Sequence, residues 1–132
     1  MIEIIIPLEP VAWAAHRGYG KKSFNPRYKE REAYQYYIRS QYKGKPLQGP
    51  ILLSYWYHFT IPKSYSKKKR ELIDLRDNAH CVKPDLDNLN KFTSDCLKGI
   101  VFEDDNQVFA LHASKYYADE CKVKIHIYNW NL

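Results

Sequence analysis

The chain has 132 residues, 45% of them hydrophobic, with a formal net charge of +6 and three cysteines. That suffices for one globular domain with a core of its own, and no apolar run approaches the ~18 residues that would cross a bilayer. Cys81, Cys96 and Cys121 show no CxxC spacing, which speaks against a cysteine zinc site, a secreted disulfide framework or a thiol nucleophile, and for reduced thiols in a cytoplasmic protein.

Ile2 to Ile6 is a β-branched run closed by Pro7; it reads as a buried strand and lacks the length and basic flank of a signal peptide. Residues 7–25 form a loop in which Trp13, Arg17, Lys21 and Lys22 stand among prolines and glycines. Basic and aromatic side chains interleaved in this way suit contact with phosphates and bases, although pinning of the loop to the core accounts equally well for Trp13. Asn25-Pro26 offers a cap and a first helical position. The spacing predicts a helix over about 26–42, with Ala33, Tyr37 and Ile38 on its inner stripe and Arg27 on its surface as a further candidate DNA contact. Gly44 to Pro50 is a break, and the β-formers of Ile51 to Ile61 make the strongest strand. A basic run from Lys63 then opens a short helix capped by Ser64 or Ser66. Its Lys67, Lys68 and Lys69 are candidate DNA contacts or, on the blander reading, a solvated face. Residues 73–82 read as irregular, with no role assigned to His80.

The informative stretch is Lys83-Pro84-Asp85-Leu86-Asp87-Asn88-Leu89-Asn90-Lys91, with its acidic echo Glu103-Asp104-Asp105. Pro84 disfavours helix in the residue before it. Beyond it Leu89, Phe92, Cys96, Leu97 and Ile100 recur at helical spacing, with Asp85 or Asp87 as the cap and Gly99 as the stop. Asp87, Lys91 and Asp95 lie four residues apart on one polar face. The run Ile100-Val101-Phe102 is expected to double back as a strand, bringing Asp104 and Asp105 toward the first pair. Carboxylates gathered closely repel unless a cation stands between them, and hard oxygen donors suit Mg²⁺ or Mn²⁺ better than zinc. Taken singly, these aspartates need do no more than cap a helix and make a turn, and Lys91 need only bridge Asp87 and Asp95. Two further strands follow, Gln107 to Tyr117 and the cleanly alternating Cys121 to Tyr128.

Charge is distributed unevenly. Residues 10–45 hold nine Lys and Arg against two Glu, whereas residues 85–105 hold six acids against two Lys. A basic protein with one acidic island suits a polyanion attacked at a metal site. The order of elements argues for an α+β single domain, a mixed β-sheet with helices packed mainly on one face.

The stretch from Lys83 to Leu89, with Lys91, Gly99 and the run Val101 to Val108, resembles the core signature of the RusA family of Holliday junction resolvases. The resemblance implies one domain over residues 1–132 that is a Mg²⁺-dependent endodeoxyribonuclease, with Mn²⁺ as a substitute. It also implies cutting of four-way junctions and related branched DNA in recombination and repair, to 5′-phosphate and 3′-hydroxyl ends, by a homodimer, often prophage-encoded and cytoplasmic. The family's metal-binding aspartates fall on Asp85, Asp87 and Asp105, Asp104 being the weaker of its pair, and its catalytic lysine falls on Lys91. Two symmetric nicks call for two sites, which a homodimer supplies. Tyr55, Trp56 and Tyr57, or Tyr128 and Trp130, are candidates for its apolar patch. The rival readings are a catalytically silent branched-DNA-binding protein with a structural metal, and a metal phosphoesterase acting on small nucleotides.

Overall fold

The elements follow in the order β1 (Ile2–Ile6), α1 (Tyr28–Gln41), β2 (Ile51–Phe59), α2 (Lys67–Leu75), α3 (Leu86–Leu97), β3 (Val108–Tyr117) and β4 (Lys122–Asn129). The computed structural model describes residues 1–15, 18 and 25–131, so the expected contacts Arg17, Lys21 and Lys22 lie outside the described residues. The strands form one sheet in the order β1-β4-β2-β3. β4 pairs antiparallel with β1 and β2, while β2 and β3 run parallel. A parallel pair needs a long crossover, and here the crossover carries α2, α3 and the acidic motif. The expected α+β architecture with a mixed sheet is thus what the chain adopts.

Alternation along the strands decides which face is covered. Leu53, Tyr55 and Tyr57 of β2, Val123 and Ile125 of β4, and Ile4 of β1 are buried. They pack in one cluster with Tyr34 and Ile38 of α1 and with Leu89, Phe92 and Cys96 of α3. Each such side chain contributes about 1.5–3 kcal/mol by leaving water. The Tyr34 ring meets Phe92 edge-on at 5.1 Å and so joins the two helices. The opposite face carries polar and charged side chains, among them the His126–Glu3 pair at 2.7 Å.

Several local expectations are corrected. The first helix begins at Tyr28, because Asn25 uses its side chain to accept from the Arg27 N–H in a preceding turn. Its inner stripe is Tyr34 and Ile38, with Ala33 exposed. The Tyr34 hydroxyl donates to the Glu9 carbonyl at 2.5 Å, so the ring can be buried with its polar tip satisfied. Ile100 to Phe102 does not extend as a strand. Gly99, at φ +83°, donates to the Phe102 carbonyl at 2.7 Å and curls the run into a turn that touches Leu47 as an isolated bridge. Tyr55 and Tyr57 are core residues and cannot supply an interface patch.

Candidate active site

The approach to the motif is tied to β3. The His80 N–H donates to the Lys115 carbonyl at 3.2 Å, and the Tyr117 N–H donates to the Asn78 carbonyl at 2.8 Å. The Lys115 ammonium donates to the carbonyls of Val82 (2.8 Å) and Pro84 (2.9 Å), either side of the cis Lys83–Pro84 peptide. Two of its three donors therefore hold the backbone directly before Asp85. Beneath this segment His80 is buried, stacked on Phe59 with centroids 4.0 Å apart. Its Nδ1 finds no hydrogen-bond partner among the described residues. Burial, and then the Lys115 charge, hold the His80 imidazole below its ordinary value of 6.5. A base whose folded pKa is depressed adds nothing to pH dependence above the unfolded value. Below 6.5 the unfolded chain takes up a proton that the folded one refuses, so stability falls until the folded pKa is passed. Urea unfolding at pH 7 and pH 5 is expected to show a smaller acid loss for His80→Phe than for the wild type; equal losses would show that His80 titrates alike in both states.

Asp85 occupies the N-cap position of α3 in extended geometry, but its carboxylate makes no capping bond. Asp87 lies in the first turn. Both are exposed, at a helix end whose partial positive charge favours carboxylates. The helix is anchored from the sheet side. The Tyr57 hydroxyl donates to Asn90 Oδ1 at 2.9 Å, and the Tyr55 hydroxyl pairs with Ser94 Oγ at 2.8 Å. Burial is the main cause that raises the pKa of both phenols, so they remain neutral hydroxyls. Lys91 projects from the exposed face, yet it makes no ion pair within 4.0 Å among the described residues, with Asp87 and Asp95 included. Its ammonium sits over the Trp13 ring, 3.5 Å from the centroid.

The second acidic group is built differently. Asp104 caps the 3-10 turn Asp105–Gln107, and Gln107 Oε1 accepts from the N–H groups of Glu103 (2.9 Å) and Asp104 (2.8 Å). The Gln107 side chain also donates to Leu47 and Gly49, stapling this turn to the loop before β2. Asp104 thus takes part in the turn, and it also lies 4.0 Å from the Lys98 ammonium. Asp105 lies 3.8 Å from the Lys98 ammonium, near the last turn of α3. Burial first, and the Asp105 charge second, raise the Asp95 pKa. Asp87 lies two turns further back, about 12 Å along the axis at ~1.5 Å per residue.

The donor set is one that hard divalent ions favour, but it is divided. Among the described residues no three His, Cys, Asp or Glu side chains stand together as a group that could hold a metal ion. One chain therefore offers Asp85 and Asp87 at one end of α3 and Asp105 at the other. Mg²⁺ is commonly held by one or two carboxylates completed by water and substrate phosphate, so the Asp85–Asp87 pair fits it without a closed protein cage.

Residues 7–128 match the family model described as endodeoxyribonuclease RusA. The chain belongs to the RusA family. It is also 33% identical over 127 residues to the uncharacterized protein YqaN of Bacillus subtilis strain 168, covering 90% of this chain and 89% of that one. Membership in an endodeoxyribonuclease family agrees with the resemblance carried by the acidic motif.

Among the described residues, the DNA-contact candidates Arg27 and Lys67 to Lys69 lie near that motif. Arg27 is half-buried and donates from Nε to the Ala12 carbonyl at 3.2 Å. With Val11 and Pro84 it lines a hollow of about 720 Å³ between α1 and the entrance to α3. Lys67, Lys68 and Lys69 occupy the exposed first turn of α2, where Ser66 accepts from the Lys69 N–H at 3.1 Å. Positive charge there opposes the helix macrodipole, so helix stability does not account for the three lysines. Lys69 and Val82 line a common hollow, which places α2 beside the approach to Asp85. Arg70 is instead spent on the carbonyls of Tyr65 and Pro62. Trp13 and Lys115 escaped sequence reasoning as residues that order the motif, because each acts on groups distant in the chain, with the basic-aromatic composition of loop 7–25 the only signal for Trp13; Gln107 was missed too, although its spacing of three from Asp104 is that of a capping box.

Proposed function

We propose that this protein is a Mg²⁺-dependent crossover junction endodeoxyribonuclease that resolves four-way and related branched DNA in recombination and repair, with Mn²⁺ able to substitute. The observation that carries the reading is the exposed start of α3, where Asp85, Asp87 and Lys91 stand without ion-pair partners among the described residues. Asp85 and Asp87 hold the cation, and Asp105, which lies toward the other end of α3 in the same chain, serves as a third acidic residue apart from that pair. When bound, Mg²⁺ supplies Lewis acidity that makes water a better nucleophile and offsets charge on the phosphate. Lys91 contributes a fixed positive charge toward the pentacovalent transition state. Lys115 keeps the backbone before Asp85 in place, and the tyrosines of β2 hold α3 against the sheet.

A junction resolved by paired nicks calls for two sites related by two-fold symmetry, so a homodimer acting in the bacterial cytoplasm is part of the proposal. Phe109 is 60% exposed, and Trp130, 49% exposed, meets it edge-on at 5.4 Å; together with Tyr128 they form an apolar patch near the start of β3. No helix among the described residues is long and apolar enough to cross a membrane. Labelled four-way junction, linear duplex and single strand, each with Mg²⁺ and with chelator, test the function. Junction-selective, Mg²⁺-dependent paired nicking is expected. Junction binding without cleavage would favour the silent binding protein, and a 15.7 kDa particle in light scattering that still nicks in pairs would remove the dimer.

If Lys67, Lys68 and Lys69 touch phosphate, junction affinity falls with salt along a log–log line, with a slope of about 0.9 per contact on duplex arms. Changing all three to Gln is expected to reduce that slope by up to ~3 and to leave Mg²⁺ dependence as it was. An unchanged slope assigns the run to solvent.

A further inference from the structure

We propose that Trp13 is the positioning residue for Lys91, holding its ammonium in place without neutralising it; the inference rests on the reading of Lys91 as the transition-state cation. A four-carbon side chain on an exposed helix face ordinarily samples many rotamers. In this chain the Lys91 Nζ lies 3.5 Å from the Trp13 ring centroid, well inside the ~6 Å within which the ring quadrupole attracts a cation. The two carboxylates spaced to bridge it, Asp87 and Asp95, make no ion pair with it. That difference matters chemically. A carboxylate partner would fix the ammonium and cancel its charge, whereas an aromatic face fixes it and leaves a full positive charge for an incoming phosphate.

The backbone that carries the ring is held at three points. The Trp13 backbone N–H donates to the Asn88 carbonyl at 2.8 Å, less than one turn before Lys91 on the same helix. Arg27 Nε donates to the Ala12 carbonyl at 3.2 Å, and the Tyr34 hydroxyl donates to the Glu9 carbonyl at 2.5 Å. The indole packs half-buried against the core. Segment 9–13 is thus latched to both α1 and α3, and it presents its one large aromatic face where Lys91 projects.

The test compares Trp13→Leu, which keeps an apolar body and loses the aromatic face, with Trp13→Phe, which keeps a smaller face. In single-turnover cleavage of a four-way junction at saturating Mg²⁺, Trp13→Leu is expected to lose about three- to fivefold in rate and Trp13→Phe less, on the scale of one exposed cation–π contact. Junction affinity measured in chelator should stay near the wild-type value for both. On a Lys91→Ala background Trp13→Leu should cost nothing further, because the two residues act as one unit; a second loss there as large as the first would show Trp13 acting independently and would overturn the proposal. A rate loss matched by an equal loss of affinity would likewise overturn it, as the signature of a residue that only supports the fold. A readout independent of cleavage is the proton resonance of the Lys91 ε-methylene, which the indole should shift upfield in the wild type and release in Trp13→Leu. An unshifted resonance in the wild type overturns the contact. If the wild type proves unable to cleave any junction, the functional reading fails by itself, and the resonance still decides whether Trp13 holds Lys91. Should Trp13→Leu not fold, Trp13→Phe carries every comparison.

Discussion

Asp85→Asn and Asp87→Asn are each expected to reduce junction cleavage by ~10²-fold or more while junction binding survives, because charge directed at the transition state is lost and affinity for the duplex arms is not. Asparagine keeps the shape and one oxygen of each side chain but removes the charge that a hard cation requires. Neither carboxylate is engaged in capping or in an ion pair among the described residues, so the melting temperature should change little. Removing negative charge beside a phosphate also relieves repulsion, and junction affinity in chelator should hold or rise. Asp105→Asn is expected to fall with them. Asp104→Asn should cleave normally, since asparagine caps a turn as well as aspartate does. The reverse pattern, with Asp104→Asn inactive and Asp105→Asn active, would move the third carboxylate by one residue.

Lys91→Ala is expected to lose rate by ~10²-fold, the scale of removing one transition-state donor, with a melting temperature close to that of the wild type. The alternative role, a structural bridge between Asp87 and Asp95, predicts the opposite: substantial loss of stability with rate lost in proportion. Lys91 stands over Trp13 and makes no ion pair within 4.0 Å with either aspartate. Thermal unfolding of the variant beside single-turnover cleavage decides the matter, and a large fall in melting temperature would return Lys91 to the structural role.

Much of the architecture was legible from local rules. The β-branched run of β1, the alternation of β4, the dense β-formers of β2 and the 3.6-residue spacing of α3 all report burial on one face, and burial on one face is what those periodicities encode. The motif could be read because its carboxylates and its lysine stand close together in one local stretch of the chain. Where reading failed, a contact from far along the chain intervened. Tyr34 displaced Ala33 from the inner stripe of α1 because the Glu9 carbonyl, 25 residues away, takes up its hydroxyl. Ile100 to Phe102 curls instead of extending because Gly99 and Leu47 satisfy its carbonyls.

By itself the sequence determined the composition of the site, namely which carboxylates and which lysine stand in order along α3 and the turn after it, because side-chain chemistry and helical spacing are properties of a local stretch. Only the tertiary structure decided how those groups are partnered. The parallel β2–β3 crossover sets Asp105 beside Lys98, at the end of α3 opposite Asp87. It brings Lys115 to the carbonyls before Asp85, and the loop after β1 lays Trp13 under Lys91. The free energy of such a contact depends on distance and on how far water is excluded from it, and neither quantity exists until segments remote in the chain have packed together.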